Sequence, residues 1–168
     1  MRRLALLALV LLACGGAGSQ PGTSAGRPLT PAVVFTYGTT QGDQFASATT
    51  RGRVTAVLFV TTFDVASQLM ARRLNDAMRT HQRRFNSGAV VLEAPSAAPL
   101  AEVFRQSLGL IYPVAMSDGA DRSSDGPFGA IESVPTLVIL DRDGRERFRR
   151  SGVISSNQLD QALTQAGK

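Results

Sequence analysis

Cysteine is almost absent from this chain of 168 residues, and Cys14 is the only one. No intramolecular disulfide can therefore form, whatever the oxidising power of the compartment. Histidine is just as scarce, since His81 is also the only one, on or beside the apolar stripe of a predicted helix. A lone histidine has no partner for a metal site or a cysteine–histidine pair, so we interpret it as a packed or edge side chain.

Apolar runs long enough to cross a bilayer are also missing. Leu4 to Ala13 contains ten apolar residues, whereas a transmembrane helix needs about 20. The run follows Arg2 and Arg3 and is typical of the hydrophobic region of a signal peptide. It ends in Leu11-Leu12-Ala13-Cys14, which resembles the lipobox of bacterial lipoproteins, in which the cysteine is diacylated and becomes the first residue. The alternative is an ordinary secretory signal with a chance cysteine.

The lipobox interpretation divides the chain into three parts. Residues 1–13 are predicted to be a signal peptide, residues 14–31, rich in Gly, Ser, Thr and Pro, a flexible tether, and residues 32–168 the folded domain. We expect lipidated Cys14 to hold the domain at a membrane of the bacterial cell envelope, on the periplasmic side. Gly15 provides no inner-membrane retention signal, which favours the outer membrane over the inner one.

The charge of the chain does not indicate a nucleic-acid partner. Basic residues outnumber acidic ones, 18 against 13, for a net charge of +5, but they are scattered. The densest patch beyond the first helix is Arg147, Arg149 and Arg150, and alternation along a strand explains it as a solvated face. We therefore predict no nucleic-acid binding.

The sequence also lacks the common catalytic and ligand-binding motifs. It contains no G-x-S-x-G elbow, no phosphate-binding loop and no cluster of metal ligands. Asp118, Asp121 and Asp125 lie in the polar segment 117–127, but their spacing does not match an EF-hand, and turns in a solvated loop explain them. We predict neither a metal nor a cofactor.

The most informative stretch runs from Val54 to Ser67. Val54–Val60 is almost wholly apolar and predicts a strand that is buried on both faces. Thr61, Thr62 and Phe63 form a turn, and Asp64 is placed as the N-cap of a helix that begins at Val65 and continues to Phe85. A helix start at the carboxyl end of a central strand is where open α/β sheets place their binding sites.

The remaining elements follow from periodicity and turn signals. A helix is predicted over Pro99–Leu108, with Leu100, Val103, Phe104 and Leu108 pointing inward. The other predicted strands are a first strand Ala32–Tyr37, a short hairpin edge within 39–52, a second central strand Ala89–Leu92 and an extended piece Pro113–Met116. A hairpin of Leu137–Leu140 with Arg145–Phe148 is predicted around the turn Arg142-Asp143-Gly144. A last helix, capped by Ser155 or Ser156, carries Leu159 and Leu163 and ends at Gly167.

From Val33 to Ala166 these features, in this order, resemble the thioredoxin-like fold, specifically the TlpA-like or redoxin-type branch of exported, membrane-tethered thiol–disulfide proteins. Phe59 to Phe63 stands where that family has an aromatic-rich segment. Asp64-Val65-Ala66-Ser67 stands where it has Cys-x-x-Cys. Val134-Pro135-Thr136, with the apolar run to Asp141-Arg142-Asp143-Gly144, is similar to its cis-proline strand and hairpin.

The resemblance implies an α/β fold with a central mixed β-sheet flanked by helices, and a short helical lead-in at Phe128–Ile131. It also implies that no catalytic residue remains, because Asp64 and Ser67 replace both cysteines and Leu58 replaces a buried acid found in many thioredoxins. A peptide-binding groove is implied at Phe63, Asp64, Val134 and Pro135, where an extended peptide adds like a strand.

The sequence therefore predicts a redox-inactive, thioredoxin-like lipoprotein that binds an envelope peptide or protein. Two alternatives remain open. One is a thiol–disulfide enzyme whose thiols come from a partner protein, and the other is a purely structural envelope component.

Overall fold

The computed structural model describes residues 30–81 and 84–168. The predicted signal peptide, Cys14 and all but the last two residues of the predicted tether lie outside the described residues. Among the helices of the described part of the chain, none is long and apolar enough to cross a membrane.

Seven strands and four α-helices make up the described residues. In chain order they are β1 Thr36–Gly38, β2 Gln44–Ala46, α1 Ser47–Thr50, β3 Thr55–Val60, α2 Val65–Thr80, β4 Asn86–Val91, α3 Ala98–Ser107, β5 Val114–Met116, β6 Thr136–Leu140, β7 Glu146–Ser151 and α4 Ser156–Ala166. Short 3₁₀ turns lie at Pro95–Ala97 and Ala120–Arg122.

Five strands form a mixed sheet in the order β5-β4-β3-β6-β7, and β1 pairs with β2 in a separate hairpin. β3 lies at the centre, parallel to β4 and antiparallel to β6. All six residues of β3 are buried, as the apolar run predicts. Because β3 and β4 run in the same direction, their carboxyl ends meet at one edge of the sheet, which we call the upper edge.

Each face of the sheet carries its own hydrophobic core. On one face, Leu58 packs with residues of α2, α3 and α4, among them Met70, Phe104 and Leu159. On the other face, Phe59 packs with aromatic side chains of the β1–β2 hairpin and of the loop before β6: Phe35, Tyr37, Phe45 and Phe128. The α/β class and the flanking of a mixed sheet by helices are confirmed.

Several predicted boundaries were wrong. The first strand covers only Thr36–Gly38 rather than Ala32–Tyr37. α2 ends at Thr80, with His81 as its C-cap, rather than at Phe85. Phe85 is buried immediately before β4, so its apolar character reflects packing under the sheet and not the helical stripe. His81 lies between α2 and α4, with Nε2 3.0 Å from a carboxylate oxygen of Asp160.

Two predictions for the segment 117–131 were also wrong. Phe128–Ile131 is not helical. Asp121 is fully buried and not solvated. Its carboxyl oxygens accept hydrogen bonds from the hydroxyls of Tyr37 over 2.6 Å and Ser117 over 2.7 Å. Asp118 and Asp125 are exposed, as expected of turn residues. The buried carboxyl group thus ties this segment to β1.

Candidate functional site

The turn between β3 and α2 is held by the side chain of Asp64. Its backbone is extended, with φ −88° and ψ 125°, and its carboxylate accepts from the N–H groups of Ala66 over 3.3 Å and Ser67 over 2.8 Å. These are donors that a helix start leaves without partners inside the helix. The predicted N-cap at Asp64, with the helix beginning at Val65, is confirmed.

Asp64 and Ser67 are also bonded to each other. The Ser67 hydroxyl donates to Asp64 Oδ2 over 2.8 Å and accepts from the N–H of Thr61. This hydroxyl is the main reason why the pKa of Asp64 lies below its ordinary value; burial opposes the shift, and the backbone N–H groups of Ser67 and Ala66 add to it. The carboxylate is therefore charged at neutral pH, at a helix start that favours negative charge.

We expect Asp64→Ala to lower the free energy of unfolding by about 1 kcal/mol at pH 7, the usual cost of losing an N-cap. Because the pKa of Asp64 is lower in the folded than in the unfolded chain, the stabilisation is present above the ordinary aspartate pKa of 3.8 and is lost as the pH falls through the folded-state value. Urea titrations at several pH values measure this. Asp76→Ala, which changes an exposed aspartate of the same helix, is the matched control and should cost little. An equal loss in both variants, or a loss from Asp64→Ala that does not shrink in acid, would contradict the capping role.

Glu93, which the sequence did not single out, fastens the same turn from the neighbouring strand. It lies two residues beyond β4, and its Oε1 accepts from the N–H of Thr62 over 2.5 Å and from the Thr62 hydroxyl over 2.7 Å. Gln68 Nε2 donates to the Thr62 carbonyl over 3.2 Å. The sequence signal that could have identified Glu93 is its position. A polar residue just after a buried strand parallel to β3 must lie at the same edge of the sheet as the turn that follows β3.

A cavity of about 410 Å³ opens beside the turn, between it and α3. Its apolar lining includes Phe63, Leu100 and Val103, residues that are 77%, 59% and 60% exposed. Glu93 and Arg72 also line it. We call it the side cavity. The prediction that Leu100 and Val103 point into the core was wrong, because α3 packs on the sheet through Ala101 and Phe104 instead.

Val134 and Pro135 lie at the upper edge as well, and the peptide bond between them is cis, as predicted. The β3–β6 register pairs Phe59 with Thr136, so continuing it by two residues places Val134 opposite Thr61. Pro135 is buried and Val134 half-buried. Among the hydrogen bonds of residues 30–81 and 84–168, none uses the N–H or C=O of Val134. All four predicted groove residues therefore lie at the upper edge.

Comparison with solved structures of other proteins shows which fold this chain has. The chain is similar to a thiol:disulfide interchange protein of the thioredoxin family from Chlorobium tepidum, with a TM-score of 0.72, 23% identity and coverage of 84% of this chain and 99% of that one. The chain has a thioredoxin-like fold. It is also similar to a secreted disulfide oxidoreductase of Mycobacterium tuberculosis (TM-score 0.64, 17% identity, 78% and 95% covered) and to StoA from Bacillus subtilis (0.62, 20%, 79% and 98%). No family model and no curated protein matches the sequence.

In this thioredoxin-like chain, Asp64 and Ser67 stand where the resemblance places the two cysteines. Ser67 is fully buried and its hydroxyl is bonded on both sides, so it cannot reach a substrate as a nucleophile. Leu58 is fully buried as well and supplies no proton acceptor beneath the turn. The pair can hold the turn and present one negative charge, but it contains no thiol.

Proposed function

We propose that this thioredoxin-like chain is a redox-inactive lipoprotein of the bacterial cell envelope that binds an extended segment of another protein. The observation that carries the proposal is that the main chain of Val134 makes no hydrogen bond within the described residues and lies at the same edge of the sheet as the exposed Phe63. Strand addition uses main-chain hydrogen bonds for affinity and side-chain pockets for specificity. Neither requires a cysteine.

The side cavity supplies the pocket that such a segment needs. Phe63, Leu100 and Val103 offer apolar contact, and Glu93 offers a carboxylate at the rim. Only one carboxylate oxygen of Glu93 is used in the hydrogen bonds to Thr62, which leaves Oε2 for a donor on the bound segment. A bound chain would therefore place one apolar side chain against Phe63 and a hydrogen-bond donor near Glu93.

Affinity purification of the tagged protein from detergent-solubilised envelopes tests the groove. We expect Phe63→Ala and Asp64→Lys to lose partners that the parent recovers, because both substitutions change the groove wall. Val34→Ala is the matched control, since Val34 is 71% exposed at the opposite edge of the sheet. Phe63→Ala removes little buried surface and should melt like the parent. Recovery of the same partners by a groove variant that melts like the parent would exclude the groove as the binding site.

The enzymatic alternative has a separate readout. The mature lipoprotein should leave the reduction of insulin by dithiothreitol at its uncatalysed rate, because its single cysteine is predicted to be acylated. Turnover that appears when a dithiol carrier protein is added would favour an enzyme that borrows its thiols. A complete absence of partners that depend on the groove would favour the structural alternative.

The proposed envelope location rests on the Leu11–Cys14 lipobox and on one of the solved structures to which the chain is similar. One of the similar structures belongs to a protein described as secreted, which is compatible with export of this chain. Lipidation at Cys14 would place the domain at a membrane surface in the periplasm, with the outer membrane favoured over the inner.

A further inference from the structure

Cations are concentrated at the lower edge of the sheet, opposite the groove. Arg51, Arg53 and Arg142 are exposed there. The segments that carry them are joined, because the N–H of Gly52 donates to the Arg142 carbonyl over 2.9 Å and the Arg51 guanidinium donates to the Asp143 carbonyl over 2.9 Å. They lie at one edge because Thr55, at the start of β3, pairs with Leu140, at the end of β6.

Further cations adjoin them. Arg84 is exposed and lies two residues before Asn86, whose side-chain amide donates to the Thr50 carbonyl over 2.8 Å. Lys168 lines, together with Arg142, a cavity of about 520 Å³ between the β6–β7 hairpin and the end of α4. We call Arg51, Arg53, Arg84, Arg142 and Lys168 the basic surface.

Two carboxylates, Asp141 and Asp143, line the same cavity as Arg142 and Lys168, and both are closer partners of other arginines. Asp141 is buried and paired with Arg147 over 2.7 Å, and Asp143 lies 3.8 Å from Arg145. Among the described residues, no ion pair includes a member of the basic surface. Residues 1–29 and 82–83 contain no acidic side chain, so they cannot add one.

The groove end carries charges of both signs. Asp64, Glu93 and Glu132 lie on segments at the upper edge, and none of them belongs to an ion pair of the described chain. The six residues of β3 separate the two edges by about 20 Å. Among the described residues, the lower edge therefore carries the five cations of the basic surface without an ion pair, whereas Asp64, Glu93 and Glu132 share the upper edge with exposed Arg72 and Arg122.

The chain enters the domain at the basic edge. Ala32 forms a bridge with Arg145, and the N–H of Val33 donates to the Gly144 carbonyl over 2.8 Å. The described part of the chain therefore begins beside the basic surface and not beside the groove. A membrane anchor at Cys14 would bring this end closest to the bilayer.

We propose that the basic surface binds the anionic headgroups of a phospholipid bilayer and turns the groove away from the membrane. Anionic lipid attracts Lys and Arg side chains within about one Debye length, roughly 8 Å at physiological salt. An orientation with the groove at the membrane would instead bring the carboxylates of Asp64, Glu93 and Glu132 within that range. Binding to lipid is independent of the proposed groove function, whereas the orientation of the anchored protein rests on the proposed acylation of Cys14.

Vesicle sedimentation tests the lipid interaction without the anchor. The probe protein is the chain from residue 14 onward with Cys14→Ser, so that no acyl group contributes. We expect it to sediment with vesicles of phosphatidylcholine and phosphatidylglycerol in equal parts, to remain in solution with phosphatidylcholine alone, and to be released by salt. Arg53→Glu with Arg142→Glu should weaken binding by at least about 25-fold, since each basic residue near the surface contributes roughly fivefold.

The matched control reverses the same number of charges away from the basic surface. Arg72→Glu with Arg122→Glu changes exposed arginines near the upper edge and should retain most of the binding. Thermal melts show that both double variants are folded. An equal loss in the two double variants would mean that net charge alone acts, which overturns the proposal. No binding to anionic vesicles, or displacement by a single-stranded oligonucleotide that binds more tightly than lipid, overturns it as well.

Discussion

Replacing Tyr37 by Phe is expected to lower the free energy of unfolding by about 1–3 kcal/mol, the usual cost of leaving a buried polar group without its partner. Tyr37 is 5% exposed and donates over 2.6 Å to Asp121, which is fully buried. Burial, then the hydrogen bond to Asp121, raise the pKa of Tyr37, so its hydroxyl stays protonated and continues to donate. Removing the hydroxyl leaves Asp121 with Ser117 as its remaining side-chain donor.

Tyr112→Phe is the matched control for this substitution. The Tyr112 hydroxyl is equally buried and donates over 2.8 Å to the carbonyl of Ala71. The Ala71 carbonyl still accepts a hydrogen bond within α2. Loss of the Tyr112 hydroxyl should therefore lower the free energy of unfolding by only about 0.5–1.5 kcal/mol. Urea unfolding of both variants measures the difference. A Tyr37→Phe variant that unfolds like the parent, or that loses less stability than Tyr112→Phe, would show that the Asp121 network does not stabilise the domain.

Replacing Cys14 by Ala is expected to move the protein from the membrane fraction to the soluble fraction. One acyl chain alone gives only marginal membrane binding, whereas two chains on the cysteine hold a protein stably. The basic surface adds an attraction to the membrane that salt weakens. The membranes should therefore be washed at high ionic strength before the protein bound to them is measured. The anchored parent should resist that wash.

The control for this fractionation is the parent chain carrying Arg53→Glu and Arg142→Glu. It retains the anchor and should stay with the membranes after the wash. If the Cys14→Ala protein sediments with washed membranes as the parent does, anchoring by Cys14 is wrong. Mass spectrometry of the N-terminal peptide then decides between an intact signal peptide and cleavage at another site.

Local features of the fold could be predicted from the sequence because their causes lie within a few residues. Asp64 caps α2 and Ser155 caps α4 with a capping box, and each cap is formed by a side chain and the first helical turn. The turn at Gly144 could be predicted because it needs a positive φ, here 80°, which glycine adopts readily and a residue with a side chain rarely adopts. The buried strand β3 followed from its uninterrupted apolar run.

Features that depend on distant neighbours could not be predicted. Helical periodicity marks Leu100, Val103 and Phe104 as one apolar stripe, but only the packing of α3 decides that Phe104 is covered while the other two line the side cavity. Asp121 looked like a loop residue because its partner Tyr37 lies 84 residues away. Glu93 escaped notice because its role depends on the parallel pairing of β3 and β4.

Photo-cross-linking at position 63 tests the central claim most directly, namely that the groove binds a partner without disulfide chemistry. Phe63 is replaced by the photoreactive analogue p-benzoylphenylalanine, which conserves the exposed aromatic ring, and the same residue is placed at Val34 as the control. Irradiation of intact cells should give discrete cross-linked products from position 63 but not from position 34. These products should be unchanged by dithiothreitol and reduced by Asp64→Lys. Equal cross-linking from both positions, or products that disappear on reduction, would contradict the account.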